Sequence, residues 1–204
     1  MSRNFSYGAR KSKAPSQPPK REDTAWHEAA HALLCEYFDM RVTWVTCEPL
    51  KWKGQNYLGY TMTAAEEDGE PFEITGLQAM YALMQSAAGF VCEWMRGTMK
   101  RGYVDPGDME ELTEIAKQID IEKFEDTEMI LGCTEEFLTW SWDVVKDIAE
   151  RLIARGRIEG TEVREVVRIR LGYIPEGKQE KPFEGLVVVP GSEAATRDPW
   201  KRVV

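Results

Sequence analysis

Residues 23–38 read Asp23-Thr24-Ala25-Trp26-His27-Glu28-Ala29-Ala30-His31-Ala32-Leu33-Leu34-Cys35-Glu36-Tyr37-Phe38. Trp26, Ala30, Leu33, Leu34, Tyr37 and Phe38 recur every three or four residues. This spacing predicts an amphipathic helix, opened by Asp23 or Thr24 as a side-chain cap and ending near Asp39. The same stretch holds the chain's only two histidines, in the pattern HExxH. Positions i and i+4 share one face of a helix, so both imidazoles can reach a single zinc ion. Glu28 follows the first of them, where it can take a proton from water attacking a carbonyl. Two histidines dropped at random into such a chain would form this pattern about once in a thousand. The competing reading is a pair of helix histidines without metal. A zinc hydrolase needs a third protein ligand and keeps a fourth position for water. With no third histidine, that ligand is a carboxylate or a thiolate, and spacing alone does not rank the 35 acids.

Outward from this helix the chain stays mostly helical. Val42, Trp44 and Cys47, then Tyr57, Leu58, Tyr60 and Met62, read as short β segments around Pro49 and Gly54, a small hairpin or meander. A long second helix is expected from Ile74 to Met99, on the rhythm of Leu77, Met80, Tyr81, Met84, Ala87, Ala88, Val91 and Met95. Its small residues Ala87, Ala88 and Gly89 allow another helix or a metal site to come close. Asp105-Pro106 opens a third helix, with proline where its missing N–H costs nothing. Further helices are expected near 126–139, 141–156 and 161–169. Beyond Gly172 the chain is rich in Gly and Pro, and Leu186-Val187-Val188-Val189 is either a strand on the body or part of a loose tail.

Length and charge narrow the function. At 204 residues, the chain suits one domain with tails. Residues 1–21 carry six Lys/Arg and no acid, whereas residues 22–172 carry fifteen basic and thirty acidic residues. A body that acidic repels nucleic acid. The basic, proline-bearing leader reads as disordered. It lacks the apolar stretch of a secretory signal, and no apolar run approaches the roughly 20 residues of a membrane span. The four scattered cysteines form no metal-binding spacing and read as reduced thiols of a cytoplasmic protein. Cys35 and Cys92 fall in apolar helix patterns, as small core residues.

Four blocks, in order, resemble the peptidase domain of the FtsH family of ATP-dependent zinc proteases. His27-Glu28-Ala29-Ala30-His31-Ala32-Leu33 is similar to the family's HEAGHA. Val45-Thr46-Cys47-Glu48-Pro49 and Leu58-Gly59-Tyr60-Thr61-Met62 resemble its V-T-x-x-P and the L-G-x-T strand that follows. Ala88-Gly89-Phe90-Val91-Cys92-Glu93-Trp94-Met95 resembles its G-G-R-x-A-E-E helix. Gly107-Asp108-Met109-Glu110-Glu111-Leu112-Thr113-Glu114-Ile115-Ala116 resembles N-D-hydrophobe-x-x-A-T-x-x-A, the most specific of the four. Leu152 through Val163 resembles the closing helix pair, so the likeness covers about residues 23–170. It implies that Asp108 is the third zinc ligand, although Asp108 also sits where a capping-box acid belongs after Asp105. It implies a place for Glu93 beside the zinc site, orienting a histidine N–H. The chain departs from the pattern at Ala30, Gly107 and Phe90, where the family has Gly, Asn and Arg. The family's ATPase module and membrane anchor have no counterpart in these residues.

The expectation is therefore a mainly α, helical zinc-peptidase domain with a small β hairpin or meander over 23–172. A disordered leader (1–22) precedes it and a Gly/Pro-rich tail (173–204) follows. His27, His31 and Asp108 hold Zn2+ and Glu28 is the general base. Leu58, Gly59, Tyr60, Thr61 and Met62 offer an edge to which an extended polypeptide substrate adds as a strand. Such a domain cuts flexible or unfolded chains without ATP, or borrows an unfoldase or an FtsH-like protease as partner. It binds no nucleic acid and inserts in no membrane. The alternative is a zinc-stabilised binding or regulatory protein that associates with a complete FtsH-like protease. For the leader, hydrogen exchange is expected to find the amides of residues 1–20 exchanging like an unfolded chain; slow amides there would contradict the reading.

Overall fold

A computed structural model describes residues 20–68, 77–98, 124–175 and 186–188, together with the single positions 108, 112, 113 and 115. The leader's first nineteen residues and the helix start at Asp105-Pro106 lie outside them. The described chain is mainly helical, with small antiparallel sheets. Helix α1 (Arg21–Tyr37) leads into strands β1 (Val42–Thr46), β2 (Leu50–Trp52), β3 (Gln55–Tyr57) and β4 (Tyr60–Thr63). Then come α2 (Ala64–Asp68), α3 (Leu77–Arg96), α4 (Phe124–Trp140) and α5 (Trp142–Arg155). The last elements are β5 (Arg157–Glu159), α6 (Gly160–Leu171), β6 (Tyr173–Pro175) and β7 (Leu186–Val188).

The expected helix α1 is the axle of the fold. It packs against α3 and α5, and also meets β1 and α6. An amphipathic surface helix hides one stripe; here every residue from Thr24 to Glu36 except Trp26 is buried. Four alanines (Ala25, Ala29, Ala30, Ala32) keep it narrow enough for neighbours on several sides. The helix cap lies at least three residues earlier than expected, and neither Asp23 nor Thr24 caps it. Lys20 stands at the cap without a side-chain hydrogen bond. Asp23 instead accepts from Arg96 of α3 at 3.2 Å, and the Thr24 hydroxyl turns back to the Lys20 carbonyl at 3.4 Å. Arg96 also lies over the Trp26 ring, 4.7 Å from its centroid, and Trp26 stacks on Trp142 of α5.

The β element is more elaborate than a meander. β2 and β3 form a separate hairpin, while β1 is the middle of a three-stranded sheet in the order β4-β1-β5. Val45 pairs with Thr61 on one side and with Ile158 on the other. Leu58 and Gly59, expected within the strand, form a bend before it, and Leu58 is exposed. β5 was not expected: its three residues alternate, with Ile158 buried between Arg157 and Glu159, but so short a run is no signal in sequence, and it forms where Arg157–Glu159 follows α5 directly onto the open edge of β1. In the expected tail, Tyr173–Pro175 pairs with Leu186–Val188, so the apolar run is a strand of a hairpin and does not join the central sheet.

A buried ion pair locks the end of α1. Glu36 accepts from Arg164 Nε at 2.9 Å and Nη2 at 2.8 Å, and from the Val42 N–H at 2.8 Å. One carboxylate thereby joins α1, β1 and α6. Burial still pushes the Glu36 carboxyl above its usual value, against the pull of Arg164. A raised folded-state value means this group favours the fold most at low pH and loses that contribution as pH rises through it. Arg164→Ala removes the compensating charge. It is expected to cost about 2–4 kcal/mol near neutral pH and clearly less at about pH 5, where Glu36 can take a proton. Urea unfolding at the two pH values checks this; an equal loss at both would contradict it.

Candidate metal centre

His27 and His31 sit one turn apart on α1, and their rings face the same space, with centroids 4.8 Å apart. Each Nδ1 has an acceptor. His31 Nδ1 donates to the Gln85 carbonyl of α3 at 2.8 Å. His27 Nδ1 donates to Glu93 Oε1, also on α3, at 3.0 Å. A carbonyl or a carboxylate can only accept, so both Nδ1 atoms carry the hydrogen, and each ring in its neutral form turns a lone pair outward at Nε2. The two Nε2 atoms lie 3.1 Å from each other.

Asp108 completes the cluster. It lies on helical backbone, as do Leu112 and Ile115. Those residues follow at i+4 and i+7, on its own face, and pack on the core. The carboxylate meets His27 Nε2 at 3.1 Å through Oδ2 and His31 Nε2 at 3.6 Å through Oδ1. Oδ2 is nevertheless sealed from solvent with no hydrogen bond directed at it. Three electron-pair donors thus converge, all within 4.8 Å of one another. A proton can join only two acceptors at a time. The set fits a divalent cation, and two imidazoles with one carboxylate are ligands that zinc takes.

Helix α3 comes this close because of Gly89. A Cβ there would stand 2.3 Å from His27 Nε2. Ala87 and Ala88 are buried beside it. Cys92, one turn further along, donates weakly to the Trp26 carbonyl at 3.4 Å. Burial pushes its thiol up to about 12, which leaves it protonated and a poor ligand.

The electrostatics follow the geometry. Burial is the largest single influence and would lower both imidazoles, but the charge and hydrogen bonds of Asp108, with the Glu28 charge and, for His27, the Glu93 hydrogen bond, together outweigh it, holding His31 above and His27 well above the ordinary value. Burial would raise Asp108, yet the two imidazoles hold it well below the usual carboxylate range. Glu28 is buried and its carboxyl is pushed up by that burial, against the pull of both histidines. Its Oε2 accepts from the Thr61 hydroxyl of β4 at 3.0 Å. Of the expected substrate segment, Thr61 and Gly59 lie against Glu28, Tyr60 bonds to Glu66 through its hydroxyl, Met62 is buried, and Leu58 is exposed. The Gln85 carbonyl was missed in the sequence, because a main-chain acceptor leaves no mark in residue type.

No protein-family model matches the chain, and no curated protein matches it significantly. About one zinc per chain is expected in protein purified after growth with zinc. His27→Ala, Asp108→Ala and Gly89→Ala are each expected to lose most of it, read by native mass spectrometry. Retention in Asp108→Ala with loss in Glu93→Ala would reassign the third ligand. Because the metal-free imidazoles are raised, metal and protons compete. Apparent affinity is expected to climb as pH rises above the ordinary imidazole range, with proton release seen by calorimetry in buffers of different ionisation enthalpy. Pure zinc affinity independent of pH would contradict the assignment.

Proposed function

We propose that this chain is a zinc-dependent endopeptidase that hydrolyses peptide bonds in flexible or unfolded polypeptides. The observation that carries the reading is the pairing of two features on one buried helix. His27 and His31 commit Nδ1 to Glu93 and to the Gln85 carbonyl and turn Nε2 toward the Asp108 carboxylate. Glu28, next in sequence and not among those three donors, is held close by with a raised carboxyl. A purely structural zinc site is closed by four protein ligands, and only three converge here among the described residues. The resemblance of the four sequence blocks to FtsH peptidase domains agrees with it.

Zinc held by His27, His31 and Asp108 would supply Lewis-acid polarisation of the scissile carbonyl and make water more acidic. Glu28 takes a proton from the attacking water and hands it to the departing amine nitrogen. A carboxyl raised above its ordinary value is a stronger base than a free carboxylate, which favours the first of these steps. Glu93 and the Gln85 carbonyl fix the tautomer of each histidine and aim its Nε2. β4 is an edge strand, and its outer side suits an extended segment that pairs by backbone hydrogen bonds and so imposes little sequence preference. At its far end Thr63 N–H donates to Glu66 Oε2 at 3.0 Å, which ends the strand there. Among the described residues no helix is long and apolar enough to cross a membrane. Cys47, Cys92 and Cys133 carry free thiols, which suits a reducing compartment such as the cytoplasm.

Glu28→Gln is expected to keep zinc while lowering cleavage of unfolded casein by about 100- to 10,000-fold, the usual worth of general-base help. A chelator is expected to stop the wild-type reaction, zinc to restore it, and tightly folded proteins to resist without ATP. A fully metallated wild type that cuts no unstructured polypeptide would turn the assignment to the zinc-stabilised binding or regulatory protein.

A further inference from the structure

We propose that Thr61 is a positioning residue for the general base: from β4 its hydroxyl holds the Glu28 carboxylate in one orientation for proton transfer. This rests on the peptidase reading above and assigns Thr61 a task other than gripping substrate. Thr61 Oγ1 lies 3.0 Å from Glu28 Oε2 and 3.2 Å from the Glu28 main-chain carbonyl. The hydroxyl has one proton to give. Shared or not, that proton ties the side chain of Glu28 to a fixed point above its own backbone.

The other side of the carboxylate is closed by Gly59. A Cβ at that position would stand 2.8 Å from Glu28 Oε1, 2.8 Å from its Cγ and 2.6 Å from Thr24 Cγ2. Only a residue without a side chain lets the bend before β4 pass so close. Glu28 is therefore pinned between two residues that are two apart in the chain. An unheld glutamate samples several rotamers, and fixing one costs entropy at each turnover. Here the hydroxyl and the bend fix it in advance. The support is rigid, because Thr61 pairs with Val45 at the middle of the three-stranded sheet. The strand proposed to receive the polypeptide and the strand that aims the base are thus one strand.

The test uses the zinc-loaded protein with Thr61→Val, which keeps the shape and the β-branch but removes the hydroxyl. Expected are a kcat about ten- to a hundredfold lower, KM within about twofold of wild type, and unchanged zinc content. Thr61→Ser should recover most of the rate. In a Glu28→Gln background, Thr61→Val should cost nothing further, because the group it aims is gone. A readout apart from activity is urea unfolding of the metal-free protein. Thr61→Val is expected to lower the folding equilibrium constant about tenfold when Glu28 is present, and less than about threefold in Glu28→Ala. A wild type that cleaves, with Thr61→Val equally fast or altered in KM alone, overturns the positioning role and leaves the peptidase reading standing. The absence of coupling between positions 28 and 61 in the unfolding cycle overturns it as well. A metallated wild type that cleaves nothing removes the peptidase reading and this role with it.

Discussion

Two imidazole Nε2 atoms and one carboxylate, forced together in a buried space, are the constraint on which the rest depends. His27 and His31 spend their Nδ1 hydrogens on Glu93 and on the Gln85 carbonyl, so Nε2 meets Nε2 at 3.1 Å. The Asp108 carboxylate adds negative charge to the same spot, with one oxygen sealed and unbonded. Leaving such groups buried and unpaired costs several kcal/mol by general experience. A shared cation would relieve all three at once. The surrounding fold looks arranged to hold this conflict in place: a helix buried on nearly every side, a glycine where α3 touches the His27 ring, and the Asp108 segment anchored through Leu112 and Ile115.

The rigidity of α1 links that site to the sheet. Its start is tied to α3 through Asp23 and Arg96, its end to β1 and α6 through Glu36. Between these anchors, Glu28 meets β4 through Thr61. A single helix thus presents two Nε2 nitrogens and one carboxylate whose relative positions are set by backbone geometry. The third donor and the orienting acceptors arrive from the Asp108 segment and from α3. Local covalent spacing sets what must be most accurate, and tertiary packing supplies what completes it.

That division explains how much was legible beforehand. His27, Glu28 and His31 were visible because a helix places i and i+4 together whatever surrounds it. The helices followed from apolar rhythm, with ends displaced by one to three residues, since a cap such as Asp23 can be drawn away by a distant partner like Arg96. Asp108 and Glu93 were reachable only through a likeness of sequence blocks, because neither spacing nor residue type ranks one acid above another across eighty residues of chain. Glu36 and Arg164 are 128 positions apart, and their pairing exists only after α6 has packed. The same holds for β5, for the Gln85 carbonyl and for the grip of Thr61 on Glu28. In each case the partner is decided by folding and not by any local pattern.

The central claim is that this cluster holds a metal through two imidazoles and a carboxylate. X-ray absorption at the zinc edge of the purified, zinc-loaded protein tests it most directly, because it reads the atoms bound to the metal. A shell of nitrogen and oxygen only is expected, with the multiple-scattering pattern of two imidazoles, and loss of one imidazole in His31→Ala. A shell containing sulfur, or one of oxygen alone without imidazole scattering, would contradict it.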